Sequence, residues 1–347
     1  MLKDLKYLVS FAIPIAAVVG LILRGPWVFF TPIFAFILIP LLEMALPVQM
    51  GNLSEEQSAS RANNGFFNFL LYLNIPFVYG LLGWFLWSLT YADYATSELV
   101  GLIFSIGIVI GSNGINVAHE LGHRKLNWEK TLGKSLLLPS LYMHFYIEHN
   151  FGHHLHAATD EDPASAKYNQ TIYSFWITSM ARQYVKAWKI QGDLMKRAKH
   201  SFFSLKNDMF WYLIIQASYL MLIYFLIGIT GLWVAVALAF TGAILLESIN
   251  YIEHYGLRRN KTASGRYERV SEIHSWNSNH VLGRIMLYEL TRHSDHHYKS
   301  HKKYQLLDYH DISPQMPFGY PTSMVIALIP PLWFGIMNKR IPLEMRR

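Results

Sequence analysis

The residues most able to do chemistry in this chain are its histidines. There are sixteen, and most of them stand in clusters. The first cluster reads His119-Glu-Leu-Gly-His123, and positions i and i+4 of a helix share one face, so both imidazoles can reach one metal. The second reads Glu148-His149-Asn-Phe-Gly-His153-His154, with the same i, i+4 spacing plus an adjacent histidine. The third is the single His254 in Asn250-Tyr-Ile-Glu-His-Tyr-Gly256. The fourth is His293-Ser-Asp-His296-His297, spaced i, i+3, i+4. Together they offer nine imidazoles, too many for one metal and enough for two with open positions left on each. Imidazole suits iron, zinc and copper alike, so the ligands alone do not choose the metal.

Acidic residues lie beside these histidines. Glu120, Glu148, Glu253 and Asp295 each flank or separate them. A metal-bound histidine usually donates its other ring N–H to a carboxylate or carbonyl, and these four are the candidates for that role. Glu247 lies seven residues before His254, on the same helix face, and an ionisable residue at that depth of an apolar segment is a functional candidate. Taken singly, each cluster has a plain alternative. HELGH matches the HExxH pattern of zinc proteases, a lone histidine can pack or cap, and HxxHH can be a solvated helix face.

The elements that must carry these clusters are read from hydropathy. The chain has 347 residues, 52% of them hydrophobic and 15% charged. Soluble domains carry about 25% charged residues, so the membrane class is indicated. Six apolar segments are long enough to span a bilayer, at about 7–23, 27–47, 66–89, 99–118, 210–229 and 232–252. The first lacks a small-residue cleavage site and runs through Arg24-Gly25-Pro26 into the second, which excludes a cleaved signal peptide. A weaker run over 320–337, broken by Pro330-Pro331, reads as interfacial or re-entrant.

With the N-terminus cytoplasmic, the turns on the outer face carry one basic residue, Arg24, and the other lysines and arginines fall inside. That asymmetry orients the chain. It places 119–209 and 253–347 on one cytoplasmic side, where they can fold into one cap holding every histidine cluster. No repeat or flexible linker divides the chain, so residues 1–347 read as a single all-α integral-membrane domain: six transmembrane helices with a cytoplasmic His-rich cap. The net charge of +7 follows from topology and anionic lipid rather than from nucleic acid. Cysteine is absent, which excludes disulfides, thiolate metal sites and a fused rubredoxin or ferredoxin. No GxGxxG fingerprint is present, so electrons must come from another protein.

An open, nitrogen-ligated metal pair beside a hydrocarbon phase suits oxygen chemistry on a lipid-soluble substrate better than hydrolysis. An intramembrane zinc protease using His119, Glu120 and His123 would leave seven ligand-like histidines unexplained. A metal transporter would favour ligands deep within several spans rather than at their ends.

The ordered motifs HELGH, EHNFGHH followed by ATDEDPASA, NYIEHYGLRR, SWNSNH and LTRHSDHHYKSHKKYQ resemble those of the bacterial integral-membrane alkane 1-monooxygenases, within the membrane fatty acid desaturase/hydroxylase superfamily. The resemblance spans Asn113 to about Gln305, and the six-span layout extends it to nearly the whole chain. Phe151, Leu155 and Lys302 depart from the residue types common there, without touching a ligand position. The resemblance implies a di-iron centre in the cytoplasmic cap with His119, His123, His149, His153, His154, His254, His293, His296 and His297 as ligands. It implies hydroxylation of the terminal methyl of alkanes to primary alcohols with O2, and rubredoxin, reduced by a rubredoxin reductase, as electron donor. The implied location is the bacterial inner membrane. Xylene-type monooxygenases and acyl desaturases of the same superfamily are the alternatives. His144, His156, His274, His280 and His301 match no ligand position. A basic patch including Lys299, Lys302 and Lys303 is the expected docking surface for the donor.

Overall fold

A computed structural model describes residues 2–346. Among these the secondary structure is helical throughout, with three isolated β-bridges in place of any sheet. Six helices are long and apolar enough to cross a membrane: Lys3–Leu23, Gly25–Ala45, Gly65–Ser88, Thr96–Gly122, Asp208–Ile227 and Ile229–His254. These are the six segments expected from hydropathy, shifted by a few residues at their ends. At the fourth and sixth spans the shift has a physical cause: apolar runs stop where polar side chains begin, but the helix continues to its cap. The fourth span therefore carries His119 on its last turn, and the sixth carries His254 as its last residue. The run over 320–337 forms two helices of eight residues, Tyr320–Ala327 and Pro330–Met337, each opening with proline in its first turn.

The chain divides into two compact units. The first contains residues 1–37, 68–148 and 184–246. Its centre is the fourth span, 78% buried, whereas the fifth is 11% buried and keeps its apolar surface outward for lipid. The fourth span packs closely through glycine. A Cβ at Gly107 would stand 2.5 Å from the Thr241 side chain, and one at Gly242 would stand 2.8 Å from Ile110. Small residues let membrane helices approach until their backbones nearly touch. The apolar interior also holds a satisfied polar cluster: the Asn113 amide donates to Asn74 Oδ1 at 2.8 Å, and Ser112 Oγ donates to Asn113 Oδ1 at 2.9 Å. Beside it the helix widens to π geometry over Ile110–Ile115, one turn before His119.

Gly107→Val is expected to destabilise the protein by about 1–3 kcal/mol, because an overpacked helix contact must separate. Gly80→Val serves as the control, since nothing lies within 4 Å of a Cβ there. Thermal unfolding in detergent measures both. Equal midpoints for the two variants would remove the close-packing argument.

The second unit contains residues 38–67, 149–183 and 247–347. It is held together by buried polar bonds as much as by apolar packing. Arg292 donates to the carbonyls of Gly51 at 2.9 Å and Leu307 at 2.7 Å. Glu43 accepts from the Gly283 N–H at 2.8 Å. The final turns of the sixth span are tied to the helix Ile172–Arg197 and to the residues just before it. Trp176 Nε1 donates to Ser248 Oγ at 3.0 Å, Tyr251 Oη donates to the Gln170 carbonyl at 2.6 Å, and Gln183 Nε2 reaches both oxygens of Glu247 at 2.8 and 3.0 Å. Glu247 is fully buried, and this bond to Gln183 offsets part of the cost of placing a carboxylate there. The sixth span ends at His254, and Gly256, with a φ of +70°, turns the chain sharply just after it.

Candidate metal centre

Four of the histidines converge in the second unit. His153, His254, His293 and His297 are all buried, and their ligand nitrogens lie within 4.8 Å of one another. Their Nε2 atoms meet in a chain: His153 to His297 at 3.1 Å, His297 to His293 at 3.0 Å, and His293 to His254 at 3.1 Å. Bonds of about 2.1 Å from one metal to nitrogens set at right angles place those nitrogens about 3 Å apart. Burial, then the neighbouring His293, His154, His153 and His254, push His297 well below the ordinary imidazole range. It is therefore neutral, the form that ligates. The residues present fit a metal ion.

A second set lies beside the first. His149, His154 and His296 bring their ligand nitrogens within 4.8 Å of one another, with His149 Nε2 and His154 Nε2 3.0 Å apart. The rings of His154 and His297 are 4.6 Å apart, so the two sets adjoin. Adjacent residues thus part company: His153 joins one set and His154 the other, and His296 parts from His297 in the same way. The i, i+4 spacing of His149 and His153 suggests one shared metal, and the fold does otherwise. Residues His149–His153 form a π-turn, in which the i+5 residue replaces i+4 as the near neighbour along the axis. His149 therefore meets His154. In His293–Tyr298 the α-helical rule holds, and His293 and His297 share a set.

His119 and His123 belong to the first unit, the one on the last turn of the fourth span and the other capping its end. Their rings are 5.2 Å apart and both are half-buried. The i, i+4 geometry expected of HELGH is present there.

The four flanking acids have distinct surroundings. Glu253 Oε2 lies 3.2 Å from His293 Nε2, and its Oε1 accepts from Tyr320 Oη at 2.7 Å. Asp295 accepts from Lys302 Nζ at 2.7 Å, from the Asp308 N–H at 2.8 Å and from His310 Nε2 at 2.8 Å. Burial pushes its carboxyl up, and these bonds outweigh that, so it stands below the ordinary aspartate range. Through Asp295 they brace the helix that bears three site histidines. Glu120 pairs with Arg124 at 2.9 Å and Glu148 with Lys186 at 3.1 Å.

One orienting residue was not singled out from sequence. Asp162 accepts from His153 Nδ1 at 2.9 Å and from Ser165 Oγ at 2.5 Å, and it is buried. It fixes the tautomer that leaves Nε2 free to ligate. The signal was present as the second Asp of ATDEDPASA, nine residues after His153, but nothing local distinguishes it from Asp160 or Glu161. Tyr320 and His310 were likewise invisible, because they arrive from distant sequence.

The remaining histidines contribute no ligand nitrogen to either set. His144 packs against the rings of Tyr142 and Tyr184, and burial pushes it down to about 3. His274 Nδ1 accepts from the Ser271 N–H, and His156 faces Glu161 at 3.3 Å. The expected basic patch is altered. Lys302 is committed to Asp295 and Asp308, and Lys303 donates to the Ala62 carbonyl, which leaves Lys299 exposed. A cavity of about 770 Å³ opens nearby in the same unit, lined by His154, Tyr298, Arg259, Lys261, Arg266 and Arg269 among others.

Comparison with known proteins agrees with this geometry. The fatty acid desaturase family pattern matches residues 95–325. Alkane 1-monooxygenase 1 of Pseudomonas aeruginosa is 36% identical over 91% of this chain and 83% of its own length. Alkane 1-monooxygenase 2 of Alcanivorax borkumensis is 35% identical over 98% of this chain and 91% of its own. The xylene/toluene monooxygenase hydroxylase component of Pseudomonas putida is more distant, at 26% over 97% of this chain. Six membrane-length helices, two adjoining histidine sets and a third of all residues shared across nearly the whole length place this chain in the alkane 1-monooxygenase family of integral-membrane enzymes.

Proposed function

We propose that this protein is a non-haem di-iron monooxygenase that hydroxylates the terminal methyl carbon of alkanes to primary alcohols, with O2 and electrons delivered by rubredoxin. The observation that carries the reading is the meeting of four buried Nε2 atoms about one point, with a second histidine set against it. An unactivated C–H bond offers no acidic proton and no electrophilic carbon, so side-chain acid–base or nucleophilic chemistry cannot attack it. Iron bound in the two sets supplies the O2 activation the reaction needs.

The protein's part is ligation, orientation and exclusion of water. His153, His254, His293 and His297 hold one iron. His149, His154 and His296 hold the other, and the HELGH pair His119 and His123 is assigned to the di-iron centre by the resemblance of its motif. Asp162 orients His153, Tyr320 steadies Glu253, and the Lys302–Asp308–His310 group braces Asp295. Glu120 and Glu148 are retained as outer partners of the HELGH and EHNFGHH boxes. The metal centre and the N-terminus are assigned to the cytoplasmic side of the bacterial inner membrane, from the distribution of Lys and Arg. The donor is assigned to the exposed basic residues Lys261, Arg266, Arg269 and Lys299, since Lys302 and Lys303 are spent inside the fold.

Metal analysis and product analysis on the purified protein test the reading together. Two irons per chain, and a primary alcohol formed from an alkane when reduced rubredoxin is supplied, are expected. One zinc per chain with no oxygen uptake would overturn it.

A further inference from the structure

The turn that leads into the fifth span presents large apolar side chains to the outside among positive charges. Phe203 is 84% exposed and Leu205 82% exposed. Neither is loosely held. Asn207, itself fully buried, donates Nδ2 to the Phe202 carbonyl at 3.0 Å, and its Oδ1 accepts from the Met209 N–H at 3.0 Å, capping the helix Asp208–Ile227. Trp211 Nε1 donates to the Leu205 carbonyl at 2.9 Å. The Phe203 ring stacks on Phe210 with centroids 6.0 Å apart. A hydrogen-bonded turn thus fixes two apolar tips outward, which in water has no compensating gain.

The charges around the turn have one sign. Lys196, Arg197, Lys199 and Lys206 are all exposed, and no acidic residue occurs between Asp193 and Asp208. Asp208 does not offset them, because its carboxylate accepts from Lys134 Nζ at 2.7 Å. The span that follows begins at Asp208 and is only 11% buried, so it faces lipid along its length. Its first turn and the turn before it therefore stand where acyl chains give way to headgroups. Aromatic side chains with a wet end, such as Trp211, favour that level.

We propose that residues 196–206 form a binding site for an anionic phospholipid. Phe203 and Leu205 enter the upper acyl region, and Lys196, Arg197, Lys199 and Lys206 contact the phosphate. A soluble acidic protein would match the charges but leave the apolar tips in water. A second copy of this chain would bring the same positive charge to meet itself. Lipid satisfies both features, and clustered basic residues beside a span attract anionic leaflets. The inference is independent of the metal and of the reaction.

The absence of cysteine allows a direct test. Phe203→Cys carries a single fluorophore in the full-length protein, reconstituted in nanodiscs of phosphatidylcholine alone or mixed equally with phosphatidylglycerol. Quenching by a nitroxide on the upper acyl chain, with protection from aqueous iodide, is expected. Quenching by iodide would overturn the insertion, and protection from both would assign the surface to a second protein. In parallel, phosphatidylglycerol should raise the unfolding midpoint of the unlabelled native chain. It should not do so in a variant with Lys196, Arg197, Lys199 and Lys206 all changed to Gln. Equal midpoints of the native chain in the two lipid mixtures would refute the preference for an anionic lipid.

Discussion

His254→Ala is expected to reduce alkane hydroxylation to background and to lower bound iron. His254 is one of only four imidazoles in its set, and its Nε2 lies 3.1 Å from that of His293. Alanine carries no nitrogen to take its place at that buried position. The control is His144→Ala. His144 is equally buried and also neutral, but it faces Tyr142 and Tyr184 instead of the converging nitrogens. Its loss leaves a cavity and costs roughly 2–4 kcal/mol of stability. The iron content of folded His144→Ala should be native. Iron by mass spectrometry and alcohol by gas chromatography, both normalised to folded protein, decide the matter. A fully active, iron-replete His254→Ala enzyme would sink the ligand assignment.

Asp162→Ala should lower iron affinity by about 10–100-fold, the usual consequence of removing the partner that orients a ligating histidine. The carboxylate sits 2.9 Å from His153 Nδ1, and without it the ring can turn or take the other tautomer. Ser165 Oγ loses its acceptor at the same time. Asp162→Asn keeps an oxygen in place and should recover much of the affinity, which a loss of folding would not. Competition with a chelator of known affinity gives the constants. If Asp162→Ala holds iron as tightly as the native chain, the orienting role is wrong.

How much of this was written in the sequence differs by element. The six spans were legible because a bilayer imposes a single requirement, about 20 apolar residues, that any reader can count. Their ends were less so. The fourth and sixth spans run on as helix past their apolar stretches to reach Gly122 and His254, because the hydrogen-bond ladder does not stop where hydropathy does. The histidine clusters were visible because the close histidines within a motif recur at helical spacing, and helical spacing is a local property.

The sorting of those histidines was decided by the tertiary structure. HNFGHH reads as a helix with His149 above His153, yet the π-turn pairs His149 with His154 and sends His153 to the other set. One inserted residue in a helical turn costs little locally, and only the surrounding fold fixes where it occurs. The outer partners were undetermined for a related reason. Tyr320 reaches Glu253 across 67 residues of sequence, and Lys302 turns inward to Asp295 and Asp308 although its sequence neighbours Lys299 and His301 are exposed. A lysine in a basic run looks like a surface charge until a buried carboxylate is placed within its reach. Sequence by itself picked out the candidate metal ligands and placed them at the ends of membrane helices or in the polar segments between and after them. Tertiary structure decided which of them face one another, because burial and long-range hydrogen bonds depend on chain segments that no local pattern brings together.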